Sequence, residues 1–247
     1  MPSQNDNGRR RFLKGSLTLA PLAPLAAGSL LHAQTTPPRD DISRAAPGQA
    51  NQPTAEHYQP TFFTPEEWAF INAACDRLIP KDDIGPGAVE SGVPQYIDRQ
   101  MQTPYGDATR WYMQGPFFDA EPEFGYQSKL TPKEQYRIGI RAINDYCRQQ
   151  FGKVFAALDA SKQDELLKQI EDGKVKTGDF KVKTFFSGFL LKNTMEGYFG
   201  DPMYGGNKDM GAWKMIGYPG VRADYLEWVG ESKPYPYAPV SMYGKRG

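Results

Sequence analysis

The tetrapeptide Thr-Pro-x-Glu stands twice in this chain, as Thr64-Pro65-Glu66-Glu67 and as Thr131-Pro132-Lys133-Glu134, each ahead of an apolar stripe of helical spacing. It supplies a hydroxyl that caps the helix start, a proline where no amide is needed, and a carboxylate that reaches back to the capping residue. After the first box, Trp68, Ile71, Cys75, Leu78 and Ile79 trace a helix that Pro80 ends. After the second, Tyr136, Ile140, Ile143 and Cys147 predict a long helix. Between them, residues 81–87 read as a turn, followed by a short helix to Ser91 and another with Val93, Ile97 and Met101 inward. A further helix starts at Asp159 or Ser161, buries Leu166, Leu167 and Ile170, and stops at Gly173. Phe185, Phe186, Phe189, Leu190 and Tyr198 make a helix apolar nearly all round, and therefore central. No stretch alternates long enough for a sheet, and at most a short hairpin fits. The expected fold class is mainly α: an irregular single-domain helical bundle with long Gly/Pro/aromatic loops.

Two segments resist a helical reading. Tyr105, Trp111, Tyr112, Phe117, Phe118, Phe124 and Tyr126 lie among Gly and Pro in an aromatic loop, whose rings either pack on their own domain or dock on another protein. Residues 200–220 are dense in glycine and have no period, which fits either a self-packed loop or a shaped one that a second chain approaches closely. Tyr198, Asp201, Pro202, Tyr204, Gly205, Gly206, Trp213 and Tyr218 are the candidate interface residues there. Lys208 and Lys214 do not lead from the loop into a helix as a phosphate cradle requires. The tail, residues 233–247, is Pro-rich and extended, either frayed or laid along a partner.

At the other end, Arg9-Arg10-Arg11-Phe12-Leu13-Lys14 precedes a mild apolar run broken by Pro21, Pro24 and Gly28. The run is too interrupted for a membrane span, which needs about 20 apolar residues. With Arg9, Arg10, Phe12 and Leu13 as its signature, residues 1–33 are predicted to be a twin-arginine export signal, read by the twin-arginine translocase, which carries folded cargo to the periplasm. An uncut anchor is the other reading. Residues 34–60, with Pro37, Pro38, Pro47, Pro53 and Pro60, form a flexible Pro-rich leader; residues 61–232 form the helical domain.

Without residues 1–33, 25 of the 29 basic and 28 of the 29 acidic residues remain, a net charge of −3, which disfavours nucleic acid. The only histidines are His32 in the signal and His57 in the leader, so the domain has no His pair for zinc and no histidine base. No Cys-x-x-Cys-His, dinucleotide fingerprint, P-loop or Gly-x-Ser-x-Gly elbow occurs. By its own residues the chain carries no recognisable cofactor, catalytic group or metal site. Cys75 and Cys147 have two readings. They could pair in the periplasm, closing a loop of about 72 residues worth roughly 4 kcal/mol, or they could be two separate buried thiols.

Ala74-Cys75-Asp76-Arg77-Leu78-Ile79-Pro80, Gly85-Pro86-Gly87-Ala88 with Gly92-Val93, Gly125-Tyr126-Gln127, and above all residues 196–207 and 213–220 carry a family resemblance. The chain resembles gluconate 2-dehydrogenase subunit 3 (the gamma chain) and the small subunits of membrane-bound fructose and sorbitol dehydrogenases, over roughly residues 62–225. The resemblance implies a periplasmic assembly at the inner membrane. Its parts would be an FAD-dependent large subunit of the glucose-methanol-choline type, a membrane-anchored multi-haem cytochrome c, and this small subunit without catalytic residues. FAD and haem c would belong to the partners. The expected function is a non-catalytic subunit that supports export, maturation and stability of the flavoprotein. The alternative is a self-sufficient periplasmic enzyme or ligand-binding module using Glu196 and Asp201, which flank Tyr198, as an acid/base pair.

Overall fold

A computed structural model describes residues 58–118 and 120–247. Arg9, Arg10, Phe12 and Leu13, with the rest of the export signal and the leader up to residue 57, lie outside the described residues.

Both Thr-Pro-x-Glu boxes start helices: α1 (Pro65–Leu78) and α3 (Pro132–Phe151). In each, the threonine side chain accepts from the third helical amide while that residue's glutamate accepts from the threonine backbone. The two acids of the first box, Glu66 and Glu67, bind α1 to α3. Arg137 of α3 reaches Glu67 and also donates to the Phe62 carbonyl at 2.6 Å, and Arg148 donates to both oxygens of Glu66 at 2.7 and 2.8 Å. Between them lies α2 (Val93–Gln100), and after them α4 (Ala160–Glu171), capped by the Asp159 side chain onto the Lys162 amide. The central helix runs as α5 (Val182–Phe185), a π-helical stretch (Phe186–Leu191) and α6 (Lys192–Phe199). Among the described residues there is no strand; the pairing at Asp82–Gly85 and Thr177–Phe180 is limited to isolated bridges.

Phe70, Ile71 and Cys75 of α1, Ile97 of α2, Tyr136, Ile140 and Ile143 of α3, Ile170 of α4, and Phe185, Phe189 and Leu190 of the central helix form one buried cluster. At the rate of about 1.5–3 kcal/mol per buried large apolar side chain, this cluster is the main source of stability. α3 crosses the central helix at Gly139, where a side chain would strike the Phe185 ring. The π-helical stretch sits where this contact must be reconciled with a polar centre. Asn193 is buried one turn later, and its Oδ1 accepts from the hydroxyls of Tyr136 (2.9 Å) and Tyr105 (3.0 Å). The Tyr136 hydroxyl also reaches the Phe189 carbonyl at 3.3 Å. The widened turn lets one helix both bury phenylalanines and satisfy two tyrosines.

The chain enters the domain over a buried carboxylate. Asp98 of α2 accepts from Tyr58 and Thr61 hydroxyls (2.8 and 2.9 Å) and from the amides of Thr61, Phe62 and Phe63 (2.8, 3.0 and 3.0 Å). Burial alone would raise its pKa, but these donors hold it below the ordinary carboxylate value.

Three local expectations differ from the structure. Residues 88–92 form turns rather than a helix, because Gly92 is left-handed (φ 76°) and reverses the chain into α2. Residues 200–220 contain a helix, α7 (Gly211–Ile216), too short to show a period. The aromatic loop divides into two parts. Tyr105, Trp111 and Tyr126 stack edge-to-face in series onto Phe189 with centroids 5.1–5.7 Å apart, whereas Tyr112, Phe118 and Phe124 are exposed.

Candidate functional site

The glycine-rich segment acquires its shape from side chains that fold back on their own backbone. Asp201 caps the turn Pro202–Tyr204 with one carboxylate oxygen on the Met203 amide at 2.9 Å. Gly205, at φ 96°, then reverses the chain. Asn207, Asp209 and Met210 are all left-handed (φ 45°, 55° and 55°), a conformation that costs non-glycine residues about 1 kcal/mol or more each. The buried Asn207 amide holds this strained run in place. Its Nδ2 donates to the Gly200 carbonyl at 2.9 Å and its Oδ1 accepts from the Ala212 amide at 3.1 Å. Trp213 of α7 is buried and donates its indole N–H to the Phe199 carbonyl at 2.6 Å.

This segment is joined to residues more than a hundred positions earlier. The Tyr198 hydroxyl donates to the Pro86 carbonyl at 2.7 Å, and the Lys208 amide donates to the Ser91 carbonyl at 3.1 Å. Gly211 lies against Pro86, Gly85 against the Met215 side chain, and Gly197 against Tyr96. The Tyr96 phenol is pushed well above its ordinary pKa, chiefly by burial and also by the Glu196 charge, so it stays protonated. The Gly85-Pro86-Gly87-Ala88 and Glu196–Gly220 motifs are therefore two halves of one tertiary unit.

The C-terminal tail completes the unit by lying along its own domain. The Val240 amide donates to the Pro219 carbonyl (3.1 Å) and the Val221 amide to the Val240 carbonyl (2.9 Å), forming a parallel bridge at Gly220. The second oxygen of Asp201 accepts from the Met242 amide at 2.8 Å. Arg222 donates to the Ala238 carbonyl at 2.9 Å and lies over the rings of Tyr235 and Tyr237. A cleft of about 230 Å³ remains between tail and loop, lined by Trp213, Lys214, Tyr218, Tyr235, Tyr237 and Pro239 among others.

The structure brings together all the candidate interface residues but divides their roles. Tyr198, Asp201, Gly206 and Trp213 are buried and turned to their own chain; a side chain at Gly206 would collide with the Gly197 carbonyl. The close approach that glycine permits here is therefore made by the chain's own α6. Pro202 and Gly205 are half-buried, and Tyr204 and Tyr218 remain on the surface. Asp201 spends both oxygens on main-chain amides, and Glu196 accepts from its helix neighbour Asn193 at 2.7 Å, so both carboxylates are engaged by their own chain. Among the described residues, no cluster of His, Cys, Asp and Glu could hold a metal ion. Cys75 and Cys147 are both free, buried thiols. Burial pushes Cys75 up to about 12, against a weaker pull from the Thr194 hydroxyl, and Cys147 up to about 11.

Sequence reasoning missed the outward side chains of the C-terminal stretch. Val221, Leu226, Val229, Tyr237, Met242 and Tyr243 are all more than half exposed. The signal that could have found them is Ala223-Asp224-Tyr225-Leu226-Glu227-Trp228, a 3₁₀ helix whose Tyr225 and Trp228 pack on Tyr235 and leave Leu226 outside.

The family model for gluconate 2-dehydrogenase subunit 3 matches residues 65–220, which span α1 through the glycine-rich segment. Searches of the curated proteins and of the solved structures found no match.

Proposed function

The chain belongs to the gluconate 2-dehydrogenase subunit 3 family, and we propose that it is the non-catalytic small subunit of a periplasmic, membrane-associated, FAD-dependent dehydrogenase that oxidises a sugar, sugar acid or polyol. In this reading it travels by the twin-arginine route through Arg9, Arg10, Phe12 and Leu13, and takes the folded flavoprotein with it. Hydride removal belongs to the FAD of the large subunit, and electrons leave through the haems of a membrane-anchored cytochrome c.

One observation supports the reading most. The buried polar residues of the motif at residues 196–220 are spent inside the subunit: Asp201 on Met203 and Met242, Asn207 on Gly200 and Ala212, Tyr198 on Pro86, and Trp213 on Phe199. A motif used in this way builds a shape, and that shape presents the large side chains Tyr204, Ile216 and Tyr218 at the surface. Subunits recognise one another through such surfaces, whereas catalysis needs polar groups free to meet a substrate.

The test is expression of the flavoprotein and cytochrome genes with and without this chain, followed by a periplasmic dye-linked dehydrogenase assay. The reading expects activity to fall to background without the chain, with the flavoprotein retained in the cytoplasm. Full periplasmic activity in its absence would refute it.

A further inference from the structure

Fourteen large apolar side chains are exposed among the described residues, and ten of them are Ile84, Tyr204, Ile216, Tyr218, Val221, Leu226, Val229, Tyr237, Met242 and Tyr243. These ten sit on the segments joined above by the Gly220–Val240 bridge, the Asp201–Met242 bond and the Gly85–Met215 contact. At about 80 Å² apiece, roughly half of what an aromatic side chain buries, they offer on the order of 800 Å². Summed, that is comparable with the ~800 Å² per partner of a standard interface. Leu226 at 79 % and Tyr243 at 74 % exposure would gain most from being covered.

Charge and volume narrow what covers them. Residues 204–243 carry four basic side chains (Lys208, Lys214, Arg222, Lys233) and four acidic ones (Asp209, Asp224, Glu227, Glu231), so no field favours nucleic acid or an anionic lipid surface. The 230 Å³ cleft is smaller than the ~300–1,000 Å³ of small-molecule sites, and it suits a single anchoring side chain from a protein.

We infer that this face, from Tyr204 to Tyr243 with Ile84, docks the flavoprotein subunit, an apolar side chain of which fills the cleft beside Trp213, Tyr218 and Tyr237. The choice of occupant rests on the proposed function. If the export signal serves both proteins, the contact forms in the cytoplasm, where a flavoprotein folds around FAD but a c-type cytochrome has not yet received its haem.

The test co-expresses the full chain with the flavoprotein, purifies through a handle on this chain, and reads flavin absorbance per mole of bait. The face is probed with the double variant Leu226→Asp/Val229→Asp and with Ala238→Trp, which fills the cleft; Tyr112→Asp/Phe118→Asp in the other exposed loop is the control. Circular dichroism confirms the fold of each, and Tyr243→Asp replaces any face variant that fails to fold. Both face variants should lower co-purified flavin about tenfold or more, with the control within about twofold of the parent. Retention by the face variants, or loss confined to the control, overturns the assignment while leaving the proposed function intact. A parent chain that captures no flavin sinks both. A parent chain that is a dimer by itself, dissociated by the same face variants, gives the face to a second copy and overturns the inference.

Discussion

Asp98 shows how much one buried charge can organise. Its carboxylate is fully buried, and its five hydrogen bonds fix residues 58–63 so that Thr64 arrives in position to cap α1. Replacement by Asn removes the charge and turns one accepting oxygen into an NH2 donor that faces other donors, leaving at least two of them unpaired, so Asp98→Asn should cost about 3 kcal/mol. The pH dependence has a definite sign. The folded-state pKa lies below the unfolded value near 3.8, so the stabilisation is complete above 3.8 and is lost as pH falls through the folded value. Chemical denaturation between pH 5 and pH 2 should show the parent losing stability below 3.8, with the parent and Asp98→Asn converging. Parallel curves down to the lowest pH would contradict this role. The two cysteines act differently: with both thiols buried and pushed upward, they serve as apolar filler in α1 and α3.

Among the elements, the central helix departs furthest from a regular pattern. Its π-helical stretch lets Asn193 serve Tyr105 and Tyr136 from the same side that buries Phe185 and Phe189. Asn193→Ala removes the acceptor that Tyr105 and Tyr136 share, leaves Tyr136 only its longer contact to the Phe189 carbonyl, and should destabilise the domain by about 2–3 kcal/mol, whereas Tyr136→Phe should cost only about 1 kcal/mol. Thermal unfolding of the two variants checks the order, and equal losses would mean that the network is not shared. The helices were legible because caps and stripes are local: Thr64, Thr131, Asp159 and Gly173 mark ends that the structure keeps. The π-helical stretch was not legible, since it answers to Tyr136, some fifty residues away. The candidate loop was legible as a location from its glycines. Which of its residues face outward was not, because Tyr198 is tied to Pro86 and Trp213 lies against Gly220, which pairs with Val240, partners that no local pattern announces.

At the scale of the whole molecule, the helical core and the loop unit are held by different means, one by packed apolar side chains and the other by a few long-range polar bonds. Truncation after Ser232 would remove Val240, the Met242 amide and one side of the cleft without touching the helical cluster. The truncated chain should keep a helical circular dichroism spectrum within about 10 % of the parent. Its tryptophan emission should shift to the red as Trp213 meets solvent, and it should melt about 2–8 °C earlier, as expected for about 1–2 kcal/mol lost in a domain of this size. An unchanged emission maximum would mean that the tail is not part of the packed unit.

The bond between Asp201 and Met242 also sets a timetable. A ribosome that has delivered residues only as far as Gly220 has released every helix of the bundle, yet Gly220 still lacks its bridge to Val240 and Asp201 has only one of its two amides. Closure of the loop unit must therefore wait until Val240 and Met242 have been translated. Synonymous changes that slow the translation of residues 221–242 would lengthen the life of a nascent chain with a formed core and an unfinished recognition face, a state that proteases and chaperones are equipped to detect.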